Sequence, residues 1–146
     1  MTSDQVARDY LTRARARWTA LAALMSARAY PDVVRESQDL VELVLKGALR
    51  FVGVDPPKRH DVHGRVIEFA DRLPAEWRST LQELRGALDQ LAQDRSAAFY
   101  GDEDADVPAS DLFGEGDARR AMSVAERVLD LYARLLGDQP GERRTP

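Results

Sequence analysis

Apolar residues recur at three- and four-residue spacing along most of the chain, and five segments sustain that rhythm long enough to predict helices. The first runs from about Ser3, a residue type suited to an N-cap, to Ala29, with Val6, Tyr10, Trp18, Leu21 and Met25 on its buried side. Tyr30-Pro31 ends it, because proline disfavours helix in the residue before it, and Pro31 then suits the first turn of a second helix reaching about Phe51. Leu40, Val41, Val44, Leu45 and Leu49 form the apolar face of that second helix. The Gly53-Val-Asp-Pro-Pro57 stretch is a clear breaker. A shorter helix follows from about Asp61 to Arg72, carrying Val62, Val66, Phe69 and Leu73, and Leu73-Pro74 separates it from a fourth over roughly 75–98. Residues 101–116 read as a long acidic loop with Pro108, Gly114 and Gly116. A fifth helix spans about Asp117 to Leu136, with Ala121, Val124, Ala125, Val128, Tyr132 and Leu135 inward. The pattern contains no β-type alternation and no internal repeat. It predicts an all-α fold: a four-helix up-and-down-type bundle with one additional short helix, in a single domain over residues 1–137, followed by a disordered tail, 138–146.

The fourth helix holds the most informative irregularity. Trp77, Leu81, Leu84, Leu88 and Leu91 make one stripe, and the next two positions on it are Arg95 and Ala98. A stripe that should face the core therefore ends in a guanidinium, with Phe99-Tyr100-Gly101 just beyond. An unpaired buried charge is costly, so Arg95 requires a carboxylate, a water-lined cleft or a ligand. Arginine is well suited to bidentate recognition of phosphate or carboxylate, and Tyr100 at the same helix end can stack on a base or donate a hydrogen bond.

Charge narrows the function classes. The net charge of −4 argues against a generally basic nucleic-acid binder, but the distribution is uneven. Residues 1–65 carry 11 Lys/Arg against 8 Asp/Glu, while residues 66–146 carry 10 against 17. Arg8, Arg13, Arg15 and Arg17 crowd the first helix, which reads either as a solvated face or as a basic edge. The absence of cysteine excludes disulfides and thiolate chemistry. No apolar run approaches the roughly 20 residues needed to span a bilayer, and MTSDQVARDY lacks the apolar stretch of a secretory signal, so a cytoplasmic protein with no membrane contact is expected.

Two further segments bear on chemistry. In Lys58-Arg59-His60-Asp61-Val62-His63, His60 or Asp61 is placed to cap the third helix, and a histidine beside an aspartate is suited to acid–base work near neutral pH. His60 and His63 supply two metal ligands at most, so no metal or other cofactor is expected. Asp102-Glu-Asp104-Ala-Asp106 mimics the start of an EF-hand loop, but Val107 stands where that loop requires glycine and Phe113 where it requires the bidentate glutamate. It reads as a solvated acidic loop. The chain has no Gly-rich phosphate loop and no nucleophile elbow.

The order of several of these pieces resembles the HEPN family of small prokaryotic α-helical proteins. The resemblance rests on Tyr30-Pro31-Asp-Val-Val-Arg-Glu-Ser-Gln38 leading into Val44-Leu-Lys46-Gly-Ala-Leu49, then Pro57-Lys-Arg-His60-Asp61-Val, then Arg95-Ser-Ala-Ala-Phe-Tyr100-Gly, then a last amphipathic helix, and it covers nearly all of residues 4–137. It implies a helical bundle that often forms a homodimer, a minimal nucleotidyltransferase as frequent partner in a toxin–antitoxin-like module, and nucleotide or RNA as ligand. Some members are metal-independent ribonucleases that resemble one another in an Arg followed, after four to six residues, by His. Here that spacing from Arg95 reaches Tyr100, Gly101 or Asp102, while the positions preceding His60 and His63 at the same spacing hold Gly-Val-Asp and Pro-Pro-Lys. The nuclease motif is absent in every frame. The resemblance thus implies either a binding domain without catalysis or a composite site of His60, Arg95 and Tyr100, with Lys46, Arg59, Asp61, His63 and Arg95 as ligand-binding candidates. A third expectation is a dimeric helical adaptor without a ligand.

Overall fold

The computed structural model describes residues 3–137, and all of its regular elements are helices. They are α1 (Ser3–Ser26), α2 (Tyr30–Phe51), α3 (His63–Glu68), a single 3-10 turn (Ala70–Arg72), α4 (Ala75–Glu83), α5 (Arg85–Tyr100), α6 (Ala109–Leu112) and α7 (Glu115–Leu135). The expected tail falls outside the described residues, as does any cap preceding Ser3.

Helix α2 is the axis of the fold and packs against α1, α5 and α7. Its apolar face, including Leu40, Val41, Val44, Leu45 and Leu49, is buried as its periodicity predicts. Pro31 lies in its first turn. The C-terminal ends of α1 and α2 are closed by the same device. Ala29 N–H bonds the Leu24 carbonyl and Arg28 N–H the Met25 carbonyl; Val54 and Gly53 repeat this on Leu49 and Arg50. These are Schellman closures, which need a left-handed residue. Gly53 (φ 81°) supplies it freely, whereas Arg28 (φ 56°) holds the position with a side chain.

Several elements differ from the pattern-based expectation, each for a local reason. On α1 the innermost positions are Ala7, Leu11, Ala14 and Leu21, one step from Val6 and Tyr10, because small residues let α1 approach α2 closely. Neither His60 nor Asp61 caps the third helix: its N-cap is Val62, without a side-chain bond, and its last turn tightens into the 3-10 segment. The fourth helix is interrupted at Leu84 (φ −86°, ψ −2°), although the Trp77–Leu91 stripe stays buried across the break. The acidic loop is more ordered than its composition suggests. Asp102 and Val107 exchange both backbone hydrogen bonds at 2.9 Å, and the Asp102 carboxylate accepts the Ala105 N–H at 3.0 Å. Gly101 (φ 75°) makes this possible, since a Cβ there would meet the Val107 carbonyl and come within 2.9 Å of the Ala109 nitrogen. Helix α7 begins two residues early because Asp117, in its first turn, accepts the Gly114 N–H.

The basic edge of α1 is engaged within the chain at three of its arginines: Arg8 pairs with Asp4, Arg17 with Glu36, and Arg13 covers the Tyr10 ring. Between α7 and α4, Arg127 forms a two-toothed pair with Glu83 and holds that carboxyl below its ordinary range.

In the core, the Tyr132 hydroxyl donates to the Ala7 carbonyl at 2.5 Å, and burial pushes that hydroxyl well above its ordinary range. A raised folded-state value means that the unfolded chain releases this proton first, so the stability it contributes is full below about pH 10 and is lost as pH rises beyond that. Tyr132→Phe should therefore cost ~1 kcal/mol at pH 7. In urea unfolding at pH 7 and near pH 10.5, the gap between wild type and variant should narrow at the higher pH; a constant gap would refute the assignment.

Candidate functional site

One face of α2 is polar at Arg35, Asp39, Glu42 and Lys46, a 4-3-4 spacing that lines these side chains along the helix. This face meets α5 and the 52–62 connection rather than the main core. Gln38, only 2% exposed, fixes the connection by donating to the His60 carbonyl at 2.9 Å. Helix α5 brings Arg95 to the same face.

Two carboxylates organise what gathers there. Asp39 lies between two guanidiniums, 3.5 Å from Arg35 Nε and 3.7 Å from Arg95 Nη2. Both contacts exceed the ~2.7–2.9 Å of a tight charge-assisted bond. The Nε atoms of Arg35 and Arg95 are buried without a hydrogen-bond acceptor, and Arg35 adds only a long 3.4 Å bond to the Arg95 carbonyl. Two cations thus share one anion, leaving a net positive charge in a half-buried setting. Beneath it the Arg35 guanidinium sits 4.8 Å from the centre of the Phe99 ring. Three residues along α2, Glu42 accepts Lys46 Nζ at 2.9 Å and faces His60 Nδ1 at 3.0 Å. A carboxylate accepts, so the tautomer that suits this contact carries its proton on Nδ1 and leaves Nε2 free to meet another group.

His60 also lines an open cleft of ≈ 330 Å³ with Asp61, Asp89, Ala92 and Gln93, between the connection and α5. Among the described residues no hydrogen bond joins His60 to Arg95; each is held by its own carboxylate on α2.

The remaining candidates are placed differently. His63 is 5% exposed and bonds Asp89, which lines the cleft, at 2.5 Å through Nε2, clamping the start of α3 to α5. Arg59 and Asp61 pair with each other at 3.4 Å on the exposed surface. Tyr100 is 61% exposed, its ring edge-on to Phe99 at 4.6 Å, with no hydrogen bond from its hydroxyl among the described residues. Sequence patterning does not single out Arg35, Asp39, Glu42 or Gln38. The i, i+4 pairs Arg35/Asp39 and Glu42/Lys46 are a legible signal, but such pairs usually mark an exposed helix face.

The family model for the HEPN domain matches residues 7–136, nearly the whole described chain. The chain belongs to the HEPN family. Searches of curated proteins and of solved structures each found no match. The all-α architecture is that of a HEPN domain, and no described helix is long and apolar enough to cross a membrane. In this HEPN domain the arginine that ends the α5 stripe has its carboxylate, Asp39, but shares it.

Proposed function

We propose that this HEPN domain binds the phosphate of a nucleotide or of RNA between Arg35 and Arg95, as a binding rather than a catalytic member of its family. The observation that carries this reading is the pair of guanidiniums on one carboxylate, at contacts of 3.5 and 3.7 Å and with both side chains partly exposed. A phosphate on the exposed side of the pair is the second anion that two cations on one carboxylate lack. The residues at the spacing of the nuclease histidine, Tyr100, Gly101 and Asp102, supply no imidazole. Tyr100 offers an exposed ring for a base instead. The domain works as a homodimer, in keeping with its family, and alongside a minimal nucleotidyltransferase in a toxin–antitoxin-like module.

Titration of labelled nucleotide and short RNA tests the site. Arg95→Ala should weaken binding by about tenfold or more, the equivalent of ~1.4 kcal/mol or more. Unchanged binding together with raised thermal stability would mean that Arg95 serves only the fold.

The imidazole orientation supports a second reading, a metal-independent ribonuclease with a composite His60–Arg95 site. Incubating the same protein with RNA in chelator separates the two. Cleavage lost in His60→Ala would favour the nuclease; intact RNA at high protein concentration supports binding alone.

A further inference from the structure

Helices α5 and α7 leave a pocket between them. Each turns toward it a face of the same i, i+3, i+4, i+7 spacing: Ala87, Gln90, Leu91 and Asp94 on α5, and Asp117, Arg120, Ala121 and Val124 on α7. Val34 of α2 completes the floor, and the space enclosed is ≈ 180 Å³. Alanine stands on both faces, where a larger side chain would fill the gap. By helical spacing this face of α5 lies opposite Asp89, Ala92 and Gln93, which line the His60 cleft, so the two openings are separate.

The floor is apolar and the rim is acidic. Val34, Leu91, Ala121 and Val124 are buried members of the core. At the rim, Arg120 donates to Asp117 at 2.7 Å, and Asp117 also accepts the Gly114 N–H, so this guanidinium and carboxylate neutralise each other. Asp94 differs. It accepts Gln90 Nε2 at 2.9 Å and has no cation partner among the described residues. With its nitrogen committed to Asp94, the Gln90 amide leaves its oxygen as a second acceptor on the same rim. The lining residues thus carry one uncompensated negative charge beside an apolar recess. A dry apolar cavity of about 150 Å³ holds a benzene ring, so this one holds a group of that size with a short link to the rim.

We propose that the pocket between α5 and α7 binds a small primary amine whose apolar body is about the size of one ring. The body rests on Val34, Leu91 and Val124, and the ammonium donates to the Asp94 carboxylate and the Gln90 oxygen. A small carboxylate is disfavoured, because Arg120 is already paired and Asp94 would face it. A lysyl side chain of a partner protein would bring the charge but, being linear, would leave much of the recess unfilled. This site does not depend on the phosphate reading of Arg35 and Arg95.

The test is titration of the full isotope-labelled chain at pH 7 with benzylamine, benzyl alcohol and benzoate, followed by backbone amide chemical shifts. Benzylamine should saturate, with shifts centred on the turns around Leu91 and Ala121, and should bind about fivefold tighter than the alcohol, a modest Coulomb gain at a partly solvated carboxylate. Benzoate should be the weakest of the three. Asp94→Asn should bring the amine down to the affinity of the alcohol and leave the alcohol unchanged. Ala87→Leu, at an exposed position and with a good helix former, should fill the recess and remove binding of both. Acetyl-lysine methylamide, free at its side-chain nitrogen, should bind more weakly than benzylamine; the reverse order would assign the pocket to a partner's lysine and overturn the small-molecule site. An amine no tighter than the alcohol, or amine affinity unchanged in Asp94→Asn, overturns the role of Asp94 and with it the amine class. Benzoate as tight as the amine does the same. Binding that survives Ala87→Leu, or no saturation by about 10 mM benzylamine, overturns the site itself.

Discussion

Adding a single methyl group at Gly47 is expected to lower stability by about 3 kcal/mol, or to prevent folding. Gly47 faces Tyr132, and a Cβ built there meets the tyrosine hydroxyl and comes within 2.7 Å of Cζ. The ring cannot retreat. Tyr132 is fully buried and tied to the Ala7 carbonyl, so α1, α2 and α7 meet at one rigid point. Overpacking a well-filled core typically costs ~1–3 kcal/mol, and this site lies at the upper end because backbone on three helices must shift. Against a typical total of ~5–15 kcal/mol, that is a large share. Thermal unfolding followed by circular dichroism measures it, with Gly64→Ala as control: a Cβ at Gly64 meets nothing within 4 Å, and alanine favours helix. Equal melting temperatures for the two variants would show that the Gly47 contact relaxes freely.

Neutralising Asp39 should have the opposite sign in binding. Asp39→Asn removes the carboxylate that Arg35 and Arg95 share and that any incoming phosphate must displace or face. Affinity for nucleotide should rise by about five- to tenfold, or ~1–1.4 kcal/mol, a modest Coulomb effect at a partly solvated site. Stability should fall by ~1 kcal/mol, since two guanidiniums then lie side by side without their counter-ion. If the trio exists only to hold α5 on α2, the stability loss appears alone. Isothermal titration beside urea unfolding distinguishes the outcomes, and a loss of stability with unchanged or weaker affinity would count against a phosphate site.

The two predictions draw on different kinds of information. Gly47 lies within an uninterrupted helical pattern, and nothing nearby in sequence indicates that its missing side chain makes room for a residue 85 positions later. The Asp39 site is half visible. Arg95 announces itself as a charge on an apolar stripe, and the cost of burying it demands a partner. Which carboxylate answers is open in the sequence, because Asp39 lies on another helix and looks, by spacing, like one half of an ordinary surface pair with Arg35. His60 and His63 show the same division. They are three residues apart with similar local chemistry, yet one is exposed on Glu42 and the other is buried on Asp89. The direction in which the connection runs over α2 separates them.

What the sequence determined by itself was the all-α class, the positions of the long helices, the buried stripes of α2, α4–α5 and α7, and the presence of a misplaced arginine. These follow from apolar periodicity and from proline and glycine breakers, which act within a few residues. The tertiary structure alone decided which face of α2 becomes polar and shared, that two arginines converge on a single carboxylate, and that His60 and Arg95 answer to different acids. Those outcomes depend on how helices distant in sequence are rotated against one another, a consequence of close packing over the whole core that no local window contains.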